Sequence, residues 1–277
     1  MSRYESPYDP ASAPKNLENV LYEKKGNIAY VTINRPQVLN ALHTYAYIDL
    51  RTCWLDMQRD PNIYVGILTG KGTAFCAGRD VKFLAEYQAK GLRTPHEDPT
   101  NPAFFWGGGG QPSDANLEKP LICAINGLAV GVGFTLALQC QLRVMSEDAW
   151  VGDTHTKIGR LGSAHNLYAQ LPRAVAAYLT LCNGRLTPQE CLQYGIVNKV
   201  TPANKLIAAA ESLAQMVCES SPLAVQAAVR LYRLSTAFDP ALVSYAKALD
   251  KEVAETEDGA EGSRAFKEKR KPQWKLL

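Results

Sequence analysis

Short apolar strands alternate regularly with helical patterns along the first 200 residues of this chain. Runs of β-branched and other apolar residues predict strands at positions 20–25, 27–34, 64–69 and 121–125. Each of the last three runs is followed by a helical pattern before the next strand begins. From residue 202 onward every segment reads as helical. This order is typical of an α/β core that is followed by a helical segment.

The chain of 277 residues is predicted to contain three parts. Residues 1–18 are polar and rich in proline, which predicts an N-terminal arm outside the core. Residues 19–200 carry the alternation of strands and helices, and residues 201–277 form the helical domain. The length is near the upper limit for a single hydrophobic core.

Net charge, cysteine content and the length of apolar runs limit the classes of protein to which this chain can belong. The net charge of +3 is too small to indicate a nucleic-acid-binding surface. The seven cysteines are odd in number and form no Cys-x-x-Cys pair, so they are predicted to be buried, reduced thiols. The N-terminus lacks a signal pattern, and no apolar run approaches the roughly 20 residues of a membrane span. A soluble cytoplasmic protein without a membrane partner is expected.

Two glycine-rich stretches each connect a predicted strand to a predicted helix, at residues 68–80 and 124–134. The beginning of a helix has unpaired backbone N–H groups and a partial positive charge, and glycine lets the backbone approach a ligand closely. Two such turns that face one point would stabilise a developing oxyanion. Neither stretch matches the phosphate-binding loop or the dinucleotide fingerprint.

Seven short motifs occur in a fixed order along the chain. They are Asn34-Arg35-Pro36, Asn40-Ala41-Leu42, Phe75-Cys76-Ala77-Gly78-Arg79-Asp80, Ile125-Asn126-Gly127 with Gly131-Val132-Gly133, Leu171-Pro172-Arg173, Gly195-Ile196-Val197-Asn198, and Ala265-Phe266-Lys267-Glu268-Lys269-Arg270-Lys271-Pro272. Together they span about residues 19–272 and resemble the motifs of the crotonase superfamily, the enoyl-CoA hydratase/isomerase family. The resemblance implies an α/β spiral of ββα units with a C-terminal helical oligomerisation domain, assembled into homo-trimers or hexamers.

The resemblance also implies how the thioester of an acyl-CoA substrate is held. Members of this superfamily bind the thioester carbonyl with two backbone N–H groups, which stabilise the enolate. The matching positions in this chain are Arg79 and Val132. Val132 stands where the family usually has glycine, so its β-branched side chain is expected to crowd the acyl pocket, while its backbone donor is retained.

Coenzyme A is expected only as part of the substrate, and no other cofactor and no metal are predicted. By resemblance, its adenine would lie along two backbone segments, and one lysine of this or a neighbouring subunit would contact a phosphate. The residues at these positions are Asn40, Ala41, Leu42, Ala77 and Lys269.

The chain departs from the family pattern at the positions that activate water. Hydratases of the family use two glutamates, and this chain has Thr135 and His155 in their places. Imidazole titrates near neutral pH, so His155 is the predicted acid and base. Asp153 lies two residues earlier, and in an extended segment both side chains would point to one face. Ser163 occupies a third position, where other members carry an acidic group.

Three functions remain open at this point. The first is enoyl-CoA hydration, dehydration or isomerisation with His155 as acid and base. The second is hydrolytic cleavage of a carbon–carbon bond in a β-dicarbonyl or cyclic keto-acyl substrate, which relatives catalyse with histidine and aspartate. The third is a catalytically inactive CoA- or RNA-binding protein, because both glutamates are missing. Residues 91–116 contain four prolines and the sequence Phe104-Phe105-Trp106, and they are predicted to form a mobile flap over an apolar ligand group.

Overall fold

A computed structural model of the protein describes residue 14 and residues 17–90, 110–162, 164–235 and 240–275. The strands in these ranges are β1 (Val20–Lys25), β2 (Ile28–Ile33), β3 (Val65–Gly70), β4 (Ala74–Cys76), β5 (Leu121–Ile125), β6 (Leu128–Val130), β7 (Leu142–Ser146), β8 (Val151–Gly152), β9 (Arg185–Leu186) and β10 (Lys199–Thr201). The helices are α1 (Thr44–Arg59), α2 (Val81–Ala89), α3 (Val132–Leu138), α4 (Ala164–Gln170), α5 (Arg173–Cys182), α6 (Pro188–Gln193), α7 (Leu206–Cys218), α8 (Pro222–Ser235), α9 (Pro240–Ala254) and α10 (Glu257–Lys267).

The strands form two sheets. The larger sheet has the order β1-β2-β3-β5-β7-β10, and the smaller sheet has the order β4-β6-β8-β9. The pair β1/β2 is an antiparallel hairpin, whereas the remaining pairs of the larger sheet are parallel. All residues of β3 and β5 are buried, as expected for parallel strands that are covered on both faces.

Successive strands contribute to the two sheets in turn. β3, β5 and β7 lie in the larger sheet, and the next strand along the chain, β4, β6 or β8, lies in the smaller one. A helix follows each such pair, namely α2, α3 and α4. The chain therefore repeats a ββα unit, as the resemblance implied. β4, β6 and β8 are parallel neighbours in the smaller sheet, so the turns that follow them lie at the same edge of that sheet.

Most local predictions agree with the structure, with small shifts at the ends of elements. The sequence Thr187-Pro188-Gln189-Glu190 predicts a capping box at the beginning of α6, and the box is present, because Thr187 accepts a hydrogen bond from the N–H of Glu190 and the Glu190 carboxylate accepts one from Thr187. The sequence predicts Thr44 as the N-cap of α1, but the cap is His43, whose Nδ1 accepts the N–H of Ala46 at 3.1 Å. Residues 1–13, 15 and 16, which make up most of the predicted arm, lie outside the described residues.

Several of the C-terminal helices contact the core, and two of these contacts, made by α7 and α10, are close packing contacts. α7 lies on the larger sheet, where Ala210 and Ala214 pack against apolar side chains of β3, β5 and β7. α10 packs against residues 156–158, and Gly159 and Gly262 allow this close approach, since a methyl group at Gly262 would lie 2.6 Å from the N of Gly159. No helix in the described part of the chain combines the length and the apolar character that a membrane span needs.

Candidate active site

The first glycine-rich turn follows β4 and pairs with the segment that precedes α1. The N–H of Leu42 donates to the carbonyl of Gly78 at 2.8 Å, and the N–H of Asp80 donates to the carbonyl of Leu42 at 2.9 Å. Leu42 and Arg79 thereby form a parallel bridge. The carbonyl of Gly78 and the N–H of Arg79 belong to one trans peptide and point in opposite directions. The N–H of Arg79 therefore points away from Leu42.

A buried ion pair holds this bridge in place. The guanidinium of Arg35 lies 3.0 Å from the carboxylate of Asp80 and also donates to the carbonyl of Ala41. The other carboxylate oxygen of Asp80 accepts the N–H of Phe83 at 3.1 Å, which caps the beginning of α2. Arg35 and Asp80 therefore fix the backbone on both sides of Arg79.

Four of the five residues predicted to bind coenzyme A, all except Lys269, lie side by side along this bridge. The N–H of Ala77 donates to the carbonyl of Leu39 at 3.0 Å, so residues 39–42 run beside residues 77–80. The side chain of Asn40 is fully buried and is occupied within the protein. It accepts the N–H of Arg35 at 2.9 Å and donates to the carbonyl of Ala74 at 2.7 Å. The N–H of Asn40 also donates to the carbonyl of Arg35 at 2.9 Å, and the role of Asn40 in binding coenzyme A stays a prediction.

The second glycine-rich turn connects β6 to α3. Gly131 has φ 54°, a left-handed conformation that favours glycine, and α3 begins at the next residue, Val132. The N–H of Val132 donates no hydrogen bond to any residue that the structure describes. Its side chain is partly buried and packs against the main core. Whether that side chain narrows the acyl pocket stays a prediction.

The two turns are in direct contact. A methyl group placed on Gly78 would lie 2.9 Å from the carbonyl oxygen of Val130 and 3.8 Å from the nitrogen of Val132. A methyl group placed on Gly133 would lie 2.8 Å from the Cβ of Cys76. Glycine at positions 78 and 133 is therefore what allows the turns to approach. The two predicted oxyanion donors, Arg79 and Val132, belong to these touching segments.

His155 and Asp153 form a direct pair after β8. The Nδ1 of His155 lies 2.5 Å from Oδ1 of Asp153, and the same oxygen accepts the backbone N–H of His155 at 3.1 Å. Asp153 is buried, whereas His155 keeps part of its side chain exposed. The expected extended geometry is wrong, because His155 has φ −62° and ψ −46° and opens a short 3-10 turn. The two side chains meet because the chain turns back on the Asp153 carboxylate.

The imidazole of His155 lies between two glycines. A methyl group on Gly131 would stand 3.2 Å from Cε1 and 3.5 Å from Nε2 of the ring, and a methyl group on Gly162 would stand 2.5 Å from Nδ1. The ring is therefore beside the turn that carries Val132. Nε2 makes no hydrogen bond to the residues described.

The hydroxyl of Thr135, at the first glutamate position, donates to the carbonyl of Val132 at 3.0 Å. This internal bond, together with burial of the side chain, leaves Thr135 unsuited to activating water. Lys269 follows α10 and is exposed, so its contact with a phosphate stays a prediction. Ser163 and the aromatic part of the predicted flap lie outside the described residues.

Two residues that help to form the surroundings of His155 were not predicted from the sequence. Gly162 forms one wall of the imidazole site, and Asp250 of α9 accepts the N–H of Gly162 at 3.1 Å. Gly162 has φ 56°, so a glycine between Leu161 and Ser163 was a local sign of an unusual backbone. Nothing near Asp250 in the sequence indicates its contact with a loop 88 residues earlier.

Comparison with known proteins identifies the family. The enoyl-CoA hydratase/isomerase family profile matches residues 23–276. The chain is 34% identical over 265 residues to (E)-benzylidenesuccinyl-CoA hydratase of Thauera aromatica, covering 92% of this chain and 98% of that protein. It is 34% identical over 270 residues to carnitinyl-CoA dehydratase of Escherichia coli O157:H7, covering 93% and 98%.

A solved structure, carnitinyl-CoA hydratase from Mycobacterium avium, superimposes with a TM-score of 0.80 at 31% identity, covering 94% of this chain and 99% of that one. An enoyl-CoA hydratase/isomerase from Pseudoalteromonas atlantica T6c also gives a TM-score of 0.80, at 26% identity, with coverage of 93% and 100%. The expected crotonase-like α/β fold is therefore confirmed. The chain is an enzyme that belongs to the enoyl-CoA hydratase/isomerase family of the crotonase superfamily.

Proposed function

We propose that this enzyme catalyses the reversible addition of water to the 2,3-double bond of an enoyl-CoA, with His155 as the acid and base. The observation that carries the proposal is the position of His155. Its Nδ1 is paired with Asp153 at 2.5 Å, while its ring lies against Gly131, next to the N–H of Val132. A proton-transfer group thus stands beside a candidate oxyanion donor.

The thioester carbonyl would accept hydrogen bonds from the N–H groups of Arg79 and Val132. Attack at C3 of the enoyl group moves electrons onto the thioester oxygen, which becomes an enolate oxygen. Backbone donors that are already oriented stabilise this charge in the transition state, and such a donor contributes about 10²–10³-fold to the rate. The contact between the two turns, through Gly78 and Gly133, supports this assignment.

Asp153 would fix the tautomer of His155. A carboxylate that accepts the hydrogen on Nδ1 leaves the lone pair on Nε2, which is the arrangement a general base requires. In hydration, Nε2 takes a proton from water while the water oxygen bonds to C3. The imidazolium then gives a proton to C2 of the enolate, and the neutral ring is restored. One histidine would therefore perform the work that hydratases of the family divide between two glutamates.

The substrate class follows from the relatives. (E)-benzylidenesuccinyl-CoA hydratase and carnitinyl-CoA dehydratase are named for adding or removing water on acyl-CoA thioesters. We infer an acyl-CoA substrate whose adenine lies along the backbone of Asn40, Ala41, Leu42 and Ala77, with Lys269 on a phosphate. In a homo-trimer or hexamer, the Lys269 that contacts the phosphate would come from the same subunit or from a neighbouring subunit.

The test is a mass-spectrometric screen of enoyl-CoA thioesters in water labelled with heavy oxygen. Hydration incorporates one labelled oxygen into an intact acyl chain, and His155→Gln is expected to lower kcat by about 10²–10⁴-fold. Binding of butyryl-CoA, which has no double bond to hydrate, should be retained by His155→Gln and serves as the control for folding.

Other outcomes would contradict the proposal. A split or ring-opened acyl chain would indicate carbon–carbon hydrolysis by the same His155–Asp153 pair. Binding of acyl-CoA without any mass change across the panel would indicate a protein that only binds. Unchanged turnover by His155→Gln would exclude His155 as the acid and base.

A further inference from the structure

We propose that Asp250, in α9, is a positioning residue that holds the imidazole of His155 in its reactive orientation. This inference rests on the proposed role of His155. Asp250 does not touch the ring. It acts through residues 160–162, because Gly162 lies against the face of the imidazole and Asp250 holds Gly162.

The carboxylate of Asp250 is the centre of four hydrogen bonds. Oδ1 accepts the backbone N–H groups of Leu161 and Gly162 at 2.9 Å and 3.1 Å. The guanidinium of Arg160 donates to Oδ2 at 2.7 Å through Nη2 and to Oδ1 at 3.4 Å through Nε. The side chain of Asp250 is buried to all but 8% of its surface. A buried carboxylate that binds two consecutive amides fixes the backbone direction at that point.

The neighbouring guanidinium and amides keep Asp250 ionised, which is the form that can accept all four hydrogen bonds. Burial by itself raises the pKa of the carboxyl, but the hydrogen bonds and charge of Arg160, and the two backbone amides, outweigh burial and lower the pKa below its usual value. The carboxylate is therefore ionised at neutral pH. An amide side chain at this position would keep one acceptor oxygen but would present an NH₂ group to the guanidinium.

The loop from His155 to Gly162 is closed on itself. The carbonyl of His155 accepts the N–H groups of Ile158 and Arg160, both at 3.0 Å. Gly162 then returns to the ring of the same residue that began the loop. Asp250 fastens the end of this loop to α9. Without the hydrogen bonds from Asp250, Gly162 can move away from the imidazole on the side opposite Gly131. The ring can then rotate or shift without any change at Asp153.

α10 contacts the same loop from another direction, through Gly262 against Gly159. That contact is made by backbone atoms and small residues, whereas Asp250 supplies the charged anchor. The anchor joins a C-terminal helix to the candidate active site within a single chain. The helical C-terminal segment would then contribute to catalysis in addition to any part in assembly.

The experiment compares kcat, KM and the histidine NMR spectrum in Asp250→Asn and Arg160→Met. A misplacement of about 1 Å in a reacting group lowers turnover by about 10²-fold. We expect Asp250→Asn to lower kcat by about 10- to 100-fold, with KM for the enoyl-CoA within about threefold of wild type. Arg160→Met leaves the two amide bonds in place and should have the smaller effect.

The histidine NMR spectrum distinguishes a displaced His155 ring from a general loss of folding. The chain has four histidines, and His155→Gln identifies the ring nitrogen signals of His155. Those signals should move in Asp250→Asn while the His43 signals stay in place. Glu255→Ala, which removes an exposed carboxylate that directly follows α9 and pairs with Lys251, is the control and should change nothing.

An unchanged His155 spectrum with wild-type kcat in Asp250→Asn would overturn the proposal. Equal changes at His43 and His155 would also overturn it, because they would indicate general unfolding. Full activity in His155→Gln would instead overturn the catalytic role of His155, and the spectrum of Asp250→Asn would still report whether Asp250 positions the ring.

Discussion

The α-carbon of Gly162 packs against the imidazole of His155, and a methyl group at position 162 would stand 2.5 Å from Nδ1 and closer still to Cγ. The two residues are seven positions apart in the chain, and the loop between them folds back so that its last residue covers the ring of its first. The orientation of His155 therefore depends on the absence of a side chain at position 162.

Gly162→Ala is expected to displace His155 and to lower kcat by about 10²-fold, because the added methyl group occupies the space of the ring. Gly162 also has φ 56°, and a left-handed alanine costs about 1–2 kcal/mol in its own right. Gly26→Ala is the matched control, since Gly26 has the same φ of 56° but nothing within 4 Å of the added methyl group. Steady-state kinetics and thermal unfolding of both variants make the comparison. Equal activity losses in the two variants would contradict the assigned contact.

Asp153→Asn is expected to lower kcat by about 10²–10⁴-fold while the protein remains folded. An asparagine oxygen in the place of Oδ1 can still accept both the backbone N–H and the Nδ1–H of His155, but the neutral amide no longer stabilises the imidazolium that forms during proton transfer. Asp148→Asn, at an exposed position in the preceding turn, serves as the control. The measurement is kcat together with the ring nitrogen signals of His155. A variant with wild-type kcat would show that the pair has no part in proton transfer.

Asn40→Ala is expected to destabilise the protein by about 3 kcal/mol or more. The buried side chain accepts the N–H of Arg35 and donates to the carbonyls of Lys71 and Ala74, and each buried group left unsatisfied costs about 1–3 kcal/mol. Asn40 also has φ 58°, which alanine tolerates poorly. Asn40→Gly loses the same bonds without that strain, so it should be the more stable variant by about 1–2 kcal/mol. Urea unfolding tests the order, and a more stable Asn40→Ala would contradict it.

Because Lys119 is buried, we expect the free energy of unfolding to depend on pH. Its side chain is buried and donates to the carbonyl of Asp60, and burial lowers the pKa of Lys119 from 10.5 to about 8. Between pH 8 and 10.5 the unfolded chain therefore holds more protons than the folded chain. The free energy of unfolding should rise with pH in this window, by at most about 1.4 kcal/mol per pH unit, and the penalty of burying the charge applies in full below pH 8. This rise should be absent from Lys119→Met in urea unfolding, and equal slopes for the two proteins would exclude Lys119 as its source.

Much of the fold was predictable because its signals are local. β5 has the predicted bounds, and the strands of the hairpin differ from prediction by one residue at most. The cap of α6 depends on Thr187 and Glu190, three positions apart, so the sequence contains the whole interaction. The cap of α1 was assigned to Thr44 instead of His43, because an imidazole acceptor has no simple sequence signature.

Residues of the candidate site could be predicted only where they belong to, or align with, a motif of the family. Arg79, Val132 and His155 were located by resemblance, and their roles remain proposals. The contact between Asp153 and His155 was anticipated for the wrong geometric reason, since a turn and not an extended strand joins them. The division of the chain at residues 18 and 200 and the assembly of subunits also remain predictions.

Local patterns were enough to predict the alternation of strands and helices and the glycines of both turns, because hydrophobic periodicity and backbone freedom act over a few residues. The ββα repeat was implied only by the resemblance to the family. Tertiary structure decided which of those turns touch, and it placed Gly162 and Asp250 around His155. A contact between α9 and a loop 88 residues earlier depends on how helices pack on the core, and no local pattern encodes that distance.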